Sequence, residues 1–173
     1  MSKQMILTVA GNDRPGLTQR LADAVMNAGG NWLESRLVRL GGQYLGAVLV
    51  DVPEAAVDFL VTAFEAFEKE GFSIAARPVT GDAIDGGQAL ALELVGQDRP
   101  GIVREVTAVL TRLAVNIEEL ETDLERGAES GARLFRARAE LRLPRGLDQR
   151  DVTGALEAIS SEIMVDLKVS PSD

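Results

Sequence analysis

The sequence contains no cysteine and no histidine. Without thiols there is no disulfide, no thiolate nucleophile and no cysteine-based zinc site. Without imidazole there is no His-based acid–base pair or His metal ligand. Lack of disulfides fits a reducing compartment. Aromatic residues are scarce, with one Trp, one Tyr and five Phe, so little is available to stack nucleobases. Positive charge is in deficit: 18 Lys and Arg face 27 Asp and Glu, a net charge of −9 over 173 residues. A surface of that sign repels phosphate backbones and releases no counterions, so direct DNA or RNA binding is not expected. No apolar run approaches the roughly 20 residues that cross a bilayer. The N-terminal stretch reaches Asn12 and Asp13 too early for a signal peptide. These absences predict a cytoplasmic protein with no membrane partner, no metal and no cofactor.

What is present is a repeat. Gly11-Asn12-Asp13-Arg14-Pro15-Gly16 returns 85 positions later as Gly96-Gln97-Asp98-Arg99-Pro100-Gly101. An apolar run precedes each copy, Met5 to Ala10 and Leu90 to Val95. A helical pattern follows each, and then an Asn at matched distance, Asn31 and Asn116. Solenoid units run about 20–50 residues, so this longer period marks duplication of a small domain. The expected organisation is a domain over 1–80, a Gly- and Asp-rich linker over 81–88 and a second domain over 89–173. Each half is near the lower size limit for an independent core.

Within the first half, Met5 to Ala10 reads as a strand. Pro15 suits a first helical turn. Leu17, Leu21, Ala24, Val25 and Ala28 mark one helical face, ended by Gly29-Gly30. Asn31 to Leu40 and Gln43 to Val52 read as a hairpin about Gly41-Gly42. Val57, Leu60, Val61, Phe64 and Phe67 mark a second helix, and Ser73 to Pro78 a last strand. The second half repeats this order: a strand from Ala89, a helix from Pro100 to about Leu113, and strands from Asn116 and Ala132. A helix bearing Val152, Leu156 and Ile159 follows, then a strand from Met164 to Val169. Each half is therefore β-α-β-β-α-β, an α+β, ferredoxin-like fold with an antiparallel sheet and helices on one face.

The two hairpins differ. Glu119, Glu121, Asp123 and Glu125 alternate along one strand of the second, and Arg136, Arg138 and Arg142 along the next. Pairing would set opposite charges against each other on one face, as a solvated surface or, on a minority reading, as a partner-docking surface. In the first half, Leu45, Ala47 and Leu49 alternate with Tyr44, Gly46, Val48, Val50 and Val52, so both faces of that strand are apolar. Such a strand calls for a neighbour on its open side, either the other half or a second subunit in a homodimer.

The repeated corner is the candidate site. A helix starting there presents unpaired N–H groups and its positive dipole end. Gly16 or Gly101 leaves that backbone unobstructed, and the amide of Asn31 or Asn116 would orient a ligand. The plainer alternative is a helix start with Asp13 and Asp98 as caps and with Asn31 and Asn116 closing turns.

Asp-Arg-Pro-Gly after the first strand, with Asn after the first helix, in this element order, resembles the ACT domain, a regulatory amino-acid-binding module. Two such domains resemble the glycine cleavage system transcriptional repressor family. The closest stretch is Asn31-Trp32-Leu33-Glu34-Ser35-Arg36-Leu37, in which Trp32 replaces the family's usual Ile. The resemblance implies no enzyme and no catalytic residue. It implies a small amino acid as ligand, glycine favoured, and a transcription activator as protein partner. It places one binding corner at Asp13, Arg14, Gly16, Leu17 and Asn31, and the other at Asp98, Arg99, Gly101, Ile102 and Asn116. Asp and Arg are expected to shape the loop rather than touch ligand. Alternatives are a regulatory subunit of a metabolic enzyme and, against the charge, an RNA-binding module.

Overall fold

The computed structural model describes residues 1–81, 86–126, 133–163 and 165–172, the backbone alone for 161–163. The chain divides into two compact units, Met1–Asp82 and Ala83–Asp173. In the first, strand β1 (Ser2–Asn12) leads to helix α1 (Leu17–Asn27), strands β2 (Asn31–Leu40) and β3 (Gln43–Pro53), a short 3-10 turn, helix α2 (Val57–Glu68) and strand β4 (Phe72–Pro78). In the second, β5 (Ala89–Gln97) leads to α3 (Ile102–Arg112), β6 (Asn116–Arg126), β7 (Arg133–Arg142), α4 (Gln149–Ile163) and β8 (Val165–Pro171). Both sheets are antiparallel, ordered β2-β3-β1-β4 and β6-β7-β5-β8. Each unit is the ferredoxin-like β-α-β-β-α-β fold.

Strand alternation decides which face is covered. Met5, Leu7 and Val9 of β1 and Val48, Val50 and Val52 of β3 are buried beneath Leu17, Leu21 and Val25 of α1 and Leu60, Phe64 and Phe67 of α2. The second core repeats this with Leu90, Leu92 and Leu94 beneath Ile102, Val106, Val109 and Leu110 of α3 and Val152 and Leu156 of α4. Val61, placed on the core stripe by spacing, is 44% exposed. The α2 stripe is narrower than its composition suggests. The β2–β3 turn is a two-residue hairpin, with Gly41 and Gly42 at φ 58° and 83°, the positive angles a type I′ turn requires.

The helix starts require a correction. Both first helices begin two residues after the proline, at Leu17 and Ile102. Gly16 (φ 87°) and Gly101 (φ 100°) are left-handed, and a left-handed residue cannot stand inside a right-handed helix. Pro15 and Pro100 belong to the turn. Asp13 and Asp98 do not cap, since neither helix carries a side-chain cap hydrogen bond.

Residues 82–85 of the expected linker, and the expected strand starts Ala132 and Met164, lie outside the described residues. The linker's last residues are held by the second sheet. Gly87 N–H donates to the Leu143 carbonyl at 2.6 Å, and Leu143 N–H to that of Gln88 at 3.0 Å. In the acidic hairpin, Glu121 stands opposite Arg138 and Asp123 opposite Arg136. Two ion pairs among the described residues are instead diagonal: Arg136 with Glu125 at 2.9 Å and Arg142 with Glu118 at 3.1 Å. Glu118 is the extra residue of a bulge between Ile117 and Glu119.

Candidate functional site

At the end of β1 the chain leaves the sheet and turns through Asp13–Gly16 into α1. The Asp13 N–H donates to the Gly42 carbonyl at 3.2 Å, and the Asp13 carboxylate holds Arg39 Nε at 2.9 Å. Gln43 Nε2 donates to Asn12 Oδ1 at 2.7 Å. These contacts tie the turn to the β2–β3 hairpin. The first helical bond of α1 runs from Arg20 N–H to the Gly16 carbonyl at 3.0 Å. The N–H groups of Leu17, Thr18 and Gln19 therefore precede any helical acceptor. No heavy atom lies within 4 Å of where a Gly16 Cβ would be. Space is therefore open at Gly16 itself, its own chain neighbours aside.

Two arginines flank this corner. Arg20 donates to both carboxylate oxygens of Glu70, at 2.7 and 2.8 Å, and Arg14 donates to Glu70 as well. Arg20 also lies 4.7 Å above the Phe67 ring. The Arg20 bond, then the Arg14 bond, holds the Glu70 carboxyl down at about 2, and the same Glu70 bond raises Arg20. Two guanidinium groups thus share the one carboxylate of Glu70. An open depression of about 430 Å³ lies at the end of β1 and the start of β4, lined by Ala10, Gly11, Gln43, Glu68, Gly71 and Phe72 among others and by none of Asp13–Arg20.

The second corner has the same backbone and different charges. Asp98 N–H donates to the Arg133 carbonyl at 3.0 Å, matching Asp13. Where α1 has Arg20, α3 has Glu105. Its Oε1 would be 3.5 Å from a Gly101 Cβ, and its Oε2 accepts from Arg99 Nη2 at 2.6 Å. This corner already holds a carboxylate in its first helical turn. The Arg99 Nε is buried without an acceptor among the described residues.

The structure does not bring the predicted residues together as one group. Leu17 and Ile102 are buried, 4% and 2% exposed, with their side chains in the cores. Asn31 and Asn116 sit beyond the far ends of α1 and α3. Each helix has 11 residues, about 16 Å of rise. Asn31 stands opposite Asp51, which pairs with Gln4 at the start of β1, whereas the corner follows Asn12. Within one unit, Asn31 cannot orient a ligand held at Gly16, and Asn116 cannot orient one at Gly101.

The ACT domain model matches residues 3–73. A structure of an unknown protein from Galdieria sulphuraria is 31% identical, with all of each chain covered and a TM-score of 0.88. The chain belongs to the ACT-domain family. A proposed glycine cleavage system transcriptional repressor is 14% identical over 99% of both chains, with a TM-score of 0.71. At that identity the likeness is one of fold. No curated protein matches.

Within this ACT pair, the residues that distinguish the corners, Arg20, Glu70 and Glu105, carry no motif signal. Arg20 and Glu105 occupy the same place after Gly16 and Gly101, so aligning the repeat exposes their reversal of charge. Glu70 lies at the end of α2, and only folding places it at the corner. No helix among the described residues is long and apolar enough to cross a membrane.

Proposed function

We propose that the chain is a non-catalytic, cytoplasmic sensor of a small amino acid, glycine favoured, and that the first corner receives the ligand carboxylate. The observation that carries this reading is the open start of α1, with Arg14 and Arg20 sharing the single carboxylate of Glu70. A helix N-terminus, with its unpaired N–H groups and positive dipole end, suits an anion. The second corner is disfavoured because Glu105 already supplies an anion there. Asp13 and Arg14, engaged by Arg39 and Glu70, shape the loop. Asn31 can reach such a site only from a second copy of the chain, so a homodimer belongs to this reading.

Regulation then acts through protein contact, as a glycine-responsive repressor acting on a transcription activator. The fold likeness to the proposed repressor and the net charge of −9, unsuited to nucleic acid, support this. Titration of Asn31→Ala with glycine, beside sedimentation of both proteins, tests the second-copy contribution. Weaker glycine binding by a dimeric variant keeps Asn31 in the site. Unchanged affinity removes it.

A further inference from the structure

Besides the charge reversal at their helix starts, the two corners differ in a pair of hydroxyls. Thr18, in the first turn of α1, and Tyr44, on β3 opposite Gly11, share a hydrogen bond of 2.6 Å between their hydroxyls. The equivalent residues are Val103, in the first turn of α3, and Phe135, on β7 opposite Gly96. Both hydroxyls are exchanged together for apolar groups. The backbone around them is kept. Gly101 is left-handed like Gly16, and the Asp98 N–H reaches its hairpin as the Asp13 N–H does. The fold therefore does not need this bond to bring the first helix onto its sheet.

The pair is held in place from below. The Tyr44 ring packs on the first core and lies 6.2 Å from the ring of Phe72. Arg39, paired with Tyr44 across the hairpin, has its guanidinium on the Asp13 carboxylate, so the cation beside Tyr44 in register is compensated. A hydroxyl has one proton to donate and two lone pairs to accept with. The bond between the two hydroxyls uses one proton and one lone pair. Neither side chain makes a further hydrogen bond among the described residues. What remains is chiefly acceptor, the complement of an ammonium, which donates and cannot accept. Thr18 also carries one of the N–H groups that precede any helical acceptor. An acceptor for an ammonium and a donor for a carboxylate thus stand on one residue.

From this juxtaposition we infer that the Thr18–Tyr44 hydroxyl pair accepts the α-ammonium of the ligand and makes the first corner select an amino acid over a carboxylate that lacks an amine. The inference rests on the ligand carboxylate being received at the start of α1, as proposed above. It adds two specificity-determining residues to that site. Loss of both hydroxyls gives the second unit a reason, besides Glu105, not to take the same ligand.

The test compares glycine with acetate, which share a carboxylate and differ by the amine, in calorimetric titration of the full chain. Wild type should bind glycine about tenfold more tightly than acetate or better, since hydrogen bonds to charged groups are among the strong ones. The double variant Thr18→Val with Tyr44→Phe copies the second unit. It should lose that preference and bind the two alike, with acetate affinity unchanged. Thr18→Ser keeps the hydroxyl and should keep the preference. Glycine and acetate weakening together in the double variant would show that the hydroxyls only steady the helix, and would overturn the inference. An unchanged preference would overturn it as well. Acetate bound as tightly as glycine by the wild type would overturn it while leaving a carboxylate site at α1. A wild type that binds neither removes the proposed site, and the inference with it.

Discussion

Gly16→Ala isolates the conformational requirement of the corner from any steric one. A Cβ at Gly16 meets nothing within 4 Å, and φ is +87°. The added methyl therefore clashes with no neighbour, and the cost is that of a left-handed L-residue, about 1–2 kcal/mol. In a unit of this size each kcal/mol lowers the melting temperature by about 4–8 °C, so a fall of about 4–16 °C is expected. Asn tolerates the left-handed region, and Gly16→Asn should recover much of the loss. Gly101→Ala should behave like Gly16→Ala, because its nearest neighbour, Glu105 Oε1 at 3.5 Å, is in ordinary contact distance. Equilibrium denaturation of the four proteins gives the comparison. Ala within about 0.5 kcal/mol of wild type, or Asn as costly as Ala, would refute the reasoning. The same geometry makes a Gly16→Val binding experiment uninformative, since strain and obstruction would arrive together.

Glu70 makes stability depend on acid. Its pKa is lowered from 4.5 to about 2 in the folded protein, so its contribution is complete above the unfolded value and is lost as pH falls through about 2. The gap in denaturation midpoint between wild type and Glu70→Gln should therefore narrow from pH 5 toward pH 2. A constant gap would show that the arginine bonds do not depress this carboxyl. Leu141→Ala removes a side chain with 0% exposure from the second core and should cost about 2–5 kcal/mol, read by denaturant unfolding. A cost below about 1 kcal/mol would mean that the core is looser than its burial indicates.

The fold was legible because period and punctuation agree. Met5, Leu7 and Val9 alternate, Leu17, Leu21 and Val25 recur at helical spacing, and Gly41-Gly42 marks the turn between β2 and β3. The repeat then transferred the assignment to the second half. The helix starts were misplaced because Pro is favoured at a first helical position, while the left-handed conformation of Gly16 and Gly101 leaves no distinct mark in the sequence. Of the candidate site, the turn was legible and the grouping of its residues was not. The corner lies where the motif put it, but Asn31 and Asn116, constant in spacing, are carried away by the length of a helix. Spacing along the chain does not give distance when a helix runs back across the sheet. The charge balance was hidden because Glu70 reaches Arg14 and Arg20 only through the packing of α2 beside α1.

The central claim is that the open start of α1 binds an amino-acid carboxylate and that the start of α3 does not. Gln19→Glu tests it most directly, by placing a carboxylate in the first turn of α1, one position before the place that Glu105 holds in α3. Such a charge favours the helix by about 0.3–1 kcal/mol, so folding should be preserved or strengthened. In calorimetric titration of the proteinogenic amino acids, glycine should bind the wild type. Its affinity should fall about tenfold or more in Gln19→Glu, a loss of about 1.4 kcal/mol. Arg104→Glu, the same change at the second corner, should leave it unaltered. No amino-acid binding by the wild type, or wild-type affinity in Gln19→Glu, would contradict the account.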